Sequence, residues 1–166
     1  YLTIGTGIGG GVTVRGRPVH GLLHPEIGHI HVRRAAGDTF AGSCPFHGDC
    51  VEGLASGSAI AARVSGRSLA EEDPIWAYVA DALAELVATL LLTLSAERIL
   101  IGGGVALGQP ALLPMIRARA AALLTGFLPP VDEAALEAIV RPPALGADAG
   151  PLGAIALGLM ALESGG

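Results

Sequence analysis

Leu2-Thr3-Ile4-Gly5-Thr6-Gly7-Ile8-Gly9-Gly10-Gly11-Val12 is an apolar strand that runs into a glycine-rich turn and out into a second strand. A turn of this kind presents backbone N–H groups, and its small residues let a phosphate come close to them. The hydroxyls of Thr3 and Thr6 add possible donors. No Gly-Lys-Ser/Thr follows, so the stretch is not a Walker A loop. A strand rather than a helix follows, so it is not a dinucleotide fingerprint either. Two readings stand: a phosphate loop made by Thr6, Gly7, Gly9 and Gly10, or a tight hairpin with no ligand.

Working outward, the second strand is expected over 10–14, with Arg15-Gly16-Arg17 as the next turn. Ser56 is placed to cap a short helix reaching Arg63. Asp73-Pro74 opens a long helix from 75 to about 95, with Val79, Leu83, Leu86, Leu90 and Leu94 at helical spacing. Arg98-Ile99-Leu100-Ile101 then reads as a short buried strand ending in Gly102-Gly103-Gly104-Val105, a second glycine run suited to a nucleotide-binding edge or to a turn at positive φ. A helix is expected over about 111–124, a break at Pro129-Pro130, a strand over 138–141 and a last apolar helix over 150–162. Met115, Met160 and Trp76 read as packing residues. Strands alternating with helices make the fold class α/β.

Between these halves lies an irregular insert of about 21–53 that carries both cysteines and most of the histidines. Cys44-Pro45-Phe46-His47-Gly48-Asp49-Cys50 brings two thiols and an imidazole onto one knuckle, and His29 or His31 can complete a tetrahedral zinc site. Four protein ligands leave no open position, so the metal expected is structural. A Cys44–Cys50 disulfide and a chance cluster are the alternatives. Glu26, His29 and Glu52 together offer two carboxylates and an imidazole, the mixture of acceptors and donors that a sugar requires. If one ring nitrogen of His29 binds the metal, the other remains free to donate to a sugar hydroxyl. His20 and His24 read as loop or packing residues.

Composition narrows the classes. The chain has 166 residues of which 51% are hydrophobic, enough for a sizeable core. A formal charge of −5 without any Lys/Arg run argues against nucleic acid as a partner. Leu86 to Ile101, the most apolar run, is interrupted by Glu97 and Arg98, so no membrane span is expected. The opening Tyr1-Leu2-Thr3-Ile4 carries no leader and lies within a strand, as expected of a cytoplasmic fragment of a longer chain.

Several segments together resemble the ROK family of sugar kinases and repressors. The resemblance runs from Ile4 through Gly7-Ile8-Gly9, Gly11-Val12, Gly21, Pro25 and Gly28-His29 into the Cys/His knuckle. It continues in Ala55-Ser56-Gly57-Ser58-Ala59-Ile60, in Gly102-Gly103-Gly104-Val105 and in Ala149-Gly150-Pro151-Leu152-Gly153-Ala154. His20-Gly21-Leu22-Leu23-His24-Pro25-Glu26 and the Cys-Pro-Phe-His form of the knuckle resemble the fructokinase branch.

The resemblance implies an actin-like (ribonuclease H-like) ATPase domain. Residues 1–149 would be its C-terminal large lobe, and 150–166 a helix packing on an N-terminal lobe. It implies ATP contacts at Thr6, Gly7, Gly9, Gly10, Ser56, Gly57, Ser58, Gly102, Gly103, Gly104 and Val105. Sugar contacts are implied at Glu26, His29 and Glu52, and structural zinc at His29, Cys44, His47 and Cys50. The reaction implied is transfer of the γ-phosphoryl of Mg·ATP to a hexose, fructose first, by a homodimer. Glucose or mannose phosphorylation and a sugar-responsive repressor are the alternatives. The family's catalytic aspartate would lie upstream of Tyr1, since Asp38, Asp49 and Asp73 lack its context, and this chain alone would not turn over.

Overall fold

The computed structural model describes residues 1–129 and 131–164, which leaves Pro130 of the expected Pro-Pro break and the last two residues of the expected 150–166 segment outside the described residues. A four-stranded mixed sheet forms the spine, in the order β2 (Ile8–Gly10), β1 (Leu2–Ile4), β5 (Ile99–Gly102), β6 (Val140–Arg141). β1 and β2 are antiparallel with Ile4 opposite Ile8, while β5 runs parallel to both β1 and β6. Leu2 and Ile4 are buried and Thr3 is exposed, as strict alternation along a strand requires.

The expected strand over 10–14 divides differently. Pairing with β1 takes residues 8–10, and Thr13–Val14 (β3) joins Arg17–Pro18 (β4) in a separate two-stranded ribbon. Arg15 and Gly16 form its turn with φ of 52° and 76°, both positive as a tight two-residue hairpin demands.

The long helix is where the spacing places it. α3 (Ile75–Leu94) buries Val79, Leu83, Leu86 and Leu90, with Leu94 alone of the expected set exposed at the last turn. Asp73 begins it by accepting a hydrogen bond from the Ile75 N–H at 3.0 Å, and the buried Trp76 donates its indole N–H to the Ala70 carbonyl at 3.0 Å. α3 is long and apolar enough to cross a membrane, but 67% of its most apolar window is buried within the chain, as in a core helix. Its neighbours are α1 (Val51–Ala55) and α5 (Leu112–Leu124).

Two departures come from local start signals. Asp132 accepts a hydrogen bond from the Ala135 N–H at 2.8 Å and starts α6 (Glu133–Ile139), which buries Leu136, so the expected 138–141 strand shrinks to β6. A short helix, α4 (Gly104–Gly108), follows the second glycine run directly, hidden from sequence reading by its own glycines. α2 (Gly57–Val64) is capped by Ser56 as expected, its Oγ accepting from Ala59 N at 3.1 Å. The last helix, α7 (Ala149–Ser164), is present. Its side chains from 150 to 162 are exposed, Met160 included, against the expectation that Met160 is a packing residue.

Candidate functional site

Three turns meet at residue 5. The first is the loop 5–7 between β1 and β2. The second is the junction of α1 and α2, where the Gly57 N–H donates to the Gly5 carbonyl at 2.7 Å, and Ser58 donates to the Thr6 carbonyl both from N–H (3.2 Å) and from Oγ (2.9 Å). The first N–H groups of α2 thus cap the carbonyls of the glycine loop, and Ser56 takes the next one. The third is the β5–α4 turn, where Gly103 at φ 92° lies so close to Ile4 that an added Cβ would stand 2.4 Å from its carbonyl oxygen. Val105 reaches the same point, with its Cγ2 3.4 Å from where a Gly57 Cβ would be. The glycine runs and the Ser56-Gly57-Ser58 turn, separate in sequence, are therefore one surface.

The second half of the site is the knuckle. Cys44 Sγ lies 3.7 Å from both His29 Nδ1 and His47 Nδ1, and Cys50 Sγ lies 3.6 Å from His29 Nδ1. Every pair of the four ligand atoms of His29, Cys44, His47 and Cys50 falls within 4.8 Å. Zinc bonds of about 2.3 Å to sulfur and about 2.0 Å to nitrogen, in a tetrahedron, set sulfur and nitrogen about 3.5 Å apart, close to these three sulfur–nitrogen distances, so the donor set suits such an ion. Both cysteines are buried and free, not joined in a disulfide. Burial acts to raise the Cys44 thiol, but the N–H groups of His47 and Phe46, the Cys50 thiol and the His47 ring outweigh it and bring it down to about 6. Burial pushes the Cys50 thiol up.

The choice between His29 and His31 is made by the fold. A 3-10 turn, Ile27–His29, is held by the His29 N–H on the Glu26 carbonyl and turns the His29 ring inward. His31 stays exposed beside Asp49, its Nδ1 3.7 Å from Oδ1, and its backbone bridges Cys50 instead.

Of the three sugar candidates, the structure brings two together. His29 Nε2, the nitrogen facing away from the sulfurs, stands 4.0 Å from Glu52 Oε1. That gap is too long for a hydrogen bond and wide enough for a hydroxyl that bonds to both. Glu26 is placed differently: its carboxylate is exposed and pairs with His24 at 2.8 Å. His20 is exposed in the same loop.

Sequence reading missed how the insert is fastened. Asp38 and Arg63 form a two-pronged ion pair, 2.8 Å at each contact, with side chains only 5% and 4% exposed. The Arg63 guanidinium also lies over the Phe40 ring at 4.4 Å, and Arg34 ties Asp38 to Asp49. The Arg63 hydrogen bonds hold the Asp38 carboxyl below its ordinary range, burial opposing and the Phe40 N–H assisting. Asp38→Ala leaves a buried guanidinium unpaired and is expected to cost about 3–5 kcal/mol in urea unfolding. A depressed carboxyl pKa contributes stability above the unfolded value and loses it as pH falls through the folded one. Asp38→Asn should therefore flatten the loss of stability of the parent below about pH 4, measured as the unfolding midpoint against pH.

The family model described as the ROK family matches residues 1–160. A fructokinase of Zymomonas mobilis is 42% identical over 97% of this chain and 54% of its own length. A fructokinase of Pediococcus pentosaceus is 36% identical over 99% of this chain and 56% of its own. The chain thus spans about half the length of these curated relatives. Among solved structures, a ROK hexokinase from Thermus thermophilus superposes with a TM-score of 0.72 at 27% identity, over 93% of this chain and 54% of that one.

Proposed function

The chain belongs to the ROK family, with the mixed α/β, actin-like ATPase fold of its sugar kinases, and from that premise we propose that it is the C-terminal large lobe of an ATP-dependent hexose kinase acting on fructose. The observation that carries this is the pairing of a clamped glycine loop with an open His29–Glu52 gap beside a four-ligand knuckle. The fructokinase relatives favour fructose over glucose or mannose.

On this reading the loop 5–7 and the turn 102–105 border the phosphates, with Ser56-Gly57-Ser58 behind the loop. His29 Nε2 and Glu52 Oε1 receive one sugar hydroxyl, and Glu26 releases His24 to meet another. In the transfer a hexose hydroxyl oxygen bonds to the γ-phosphorus of ATP, the bond to the β-phosphate oxygen breaks, and ADP leaves. The hydroxyl proton passes to a base outside this chain: Asp38 is paired with Arg63, Asp49 with Arg34, and Asp73 with Arg67 and the Ile75 N–H. His29, Cys44, His47 and Cys50 would hold a zinc ion that would keep the insert shaped, and magnesium brought in with ATP would neutralise phosphate charge. α7, apolar and exposed, packs on the N-terminal lobe, and the enzyme is a cytoplasmic homodimer.

The test is ADP release by the full-length protein at saturating Mg·ATP with fructose, glucose and mannose in parallel. Fructose is expected to give a kcat/KM at least about tenfold above the others. Glucose or mannose in first place would reassign the substrate. Silence with all three from folded, zinc-loaded protein would overturn the kinase in favour of a sugar-responsive regulator.

A further inference from the structure

Glu52 has two oxygens with different partners. Oε1 faces His29 Nε2, while Oε2 accepts the Ile8 N–H at 2.8 Å, the first amide after the glycine loop. Oε2 also lies against Gly7, where an added Cβ would come within 2.6 Å of it, so the loop backbone rests on this carboxylate. Glu52 itself is fixed from the knuckle. Cys50 is the N-cap of α1 and Glu52 is its second residue. The next residue, Gly53, is pressed onto the knuckle backbone: a Cβ there would meet the Gly48 carbonyl at 1.9 Å, and its own carbonyl accepts the Ser43 N–H at 2.9 Å.

We propose that Glu52 is a positioning residue that couples the metal knuckle to the glycine loop, so that metal occupancy sets the order of the loop and the affinity of the phosphate ligand it serves. This rests on the nucleotide reading of that loop. On the short path Cys50-Val51-Glu52 the carboxylate hydrogen-bonds to β2 at Ile8, and a charged acceptor on a backbone N–H is among the stronger hydrogen bonds available. A metal ligand that loosens lets α1 shift, and Ile8 loses its acceptor.

The test uses full-length protein and two readouts, hydrogen exchange at the Ile8 amide and binding of a non-hydrolysable ATP analogue without sugar. In zinc-loaded parent protein Ile8 is expected to be protected. Removing zinc should speed its exchange and weaken nucleotide binding, each by about tenfold, while Leu83 in α3 stays protected. If chelation unprotects Leu83 as well, His47→Ala, which removes the exposed ligand of the four, supplies the metal-weakened state. Glu52→Ala should show the same losses with zinc still bound. Glu52→Gln, whose amide oxygen still accepts from Ile8, should restore most of the protection. Ile8 protection and nucleotide affinity indifferent to zinc, or unchanged in Glu52→Ala, would overturn the coupling. Absence of nucleotide binding from zinc-loaded parent protein would instead overturn the reading of the loop, and the Ile8 exchange would still decide the coupling.

Discussion

Replacing Cys50 with Ala is expected to empty the metal knuckle and, if the full-length protein is the proposed kinase, to take its hexose phosphorylation with it. Cys50 is wholly buried, stands 3.6 Å from His29 Nδ1, and caps the helix that carries Glu52. Losing one of the four ligands, and one of the two thiolates, should lower zinc affinity by more than about 100-fold, since even indirect partners of a metal ligand are worth about 10–100-fold. Structural zinc contributes folding free energy outright, but here the contribution is local. The core of α3, α5 and the sheet draws mostly on residues outside the insert, which adds Ile27 and Val51 to it, so most helical content should survive. The loop from 40 to 50 should become open to proteolysis, and kcat/KM should fall by about 100-fold or more as His29 and Glu52 lose their placement. Metal analysis after gel filtration, limited digestion and hexose-dependent ADP release check the three parts separately. A Cys50→Ala protein that keeps stoichiometric zinc would contradict the ligand assignment.

Gly103→Ala is the second large effect, and it comes through the backbone. At φ 92° and ψ 162° this residue occupies a region that is essentially closed to side chains. The added methyl would also stand 2.4 Å from the Ile4 carbonyl oxygen and 2.6 Å from the Ile4 nitrogen, both main-chain atoms that cannot rotate away. Strain of about 1–3 kcal/mol and displacement of β1 should together cost about 3–5 kcal/mol. At about 2–4 °C per kcal/mol, thermal unfolding should fall by about 6–20 °C. Because Ile4 leads into the glycine loop, nucleotide affinity should drop with it. Gly104→Ala, where an added Cβ meets nothing within 4 Å, is the matched control and should change little. Equal effects of the two would mean that the close approach at Ile4 is wrong.

What the sequence could tell followed the range of the interactions. α3 was legible because Asp73-Pro74 and the spacing of Val79, Leu83, Leu86 and Leu90 lie within a few turns of one another. The knuckle was legible because three of its ligands fall within seven residues. The fourth was not, since His29 and His31 are equally spaced from Cys44 to within two residues. What separates them is the 3-10 turn at 27–29 and the seat of Gly28, where an added Cβ would meet the Ile8 carbonyl at 2.0 Å. Contacts over longer spans left no trace in spacing: the α2 amides on Gly5 and Thr6, Asp38 on Arg63, and Glu52 on Ile8. Glu26 shows the same limit from the other side, because its nearness to His29 in sequence does not bring its carboxylate to the His29–Glu52 gap.

A crystal structure of the zinc-loaded, full-length protein with fructose and a non-hydrolysable ATP analogue would show whether the glycine loop and the His29–Glu52 gap hold the two substrates. The analogue's phosphates are expected against the loop 5–7, and one fructose hydroxyl within about 3.2 Å of both His29 Nε2 and Glu52 Oε1. Phosphates bound away from that loop, or a sugar bound with no hydroxyl between His29 Nε2 and Glu52 Oε1, would contradict this arrangement.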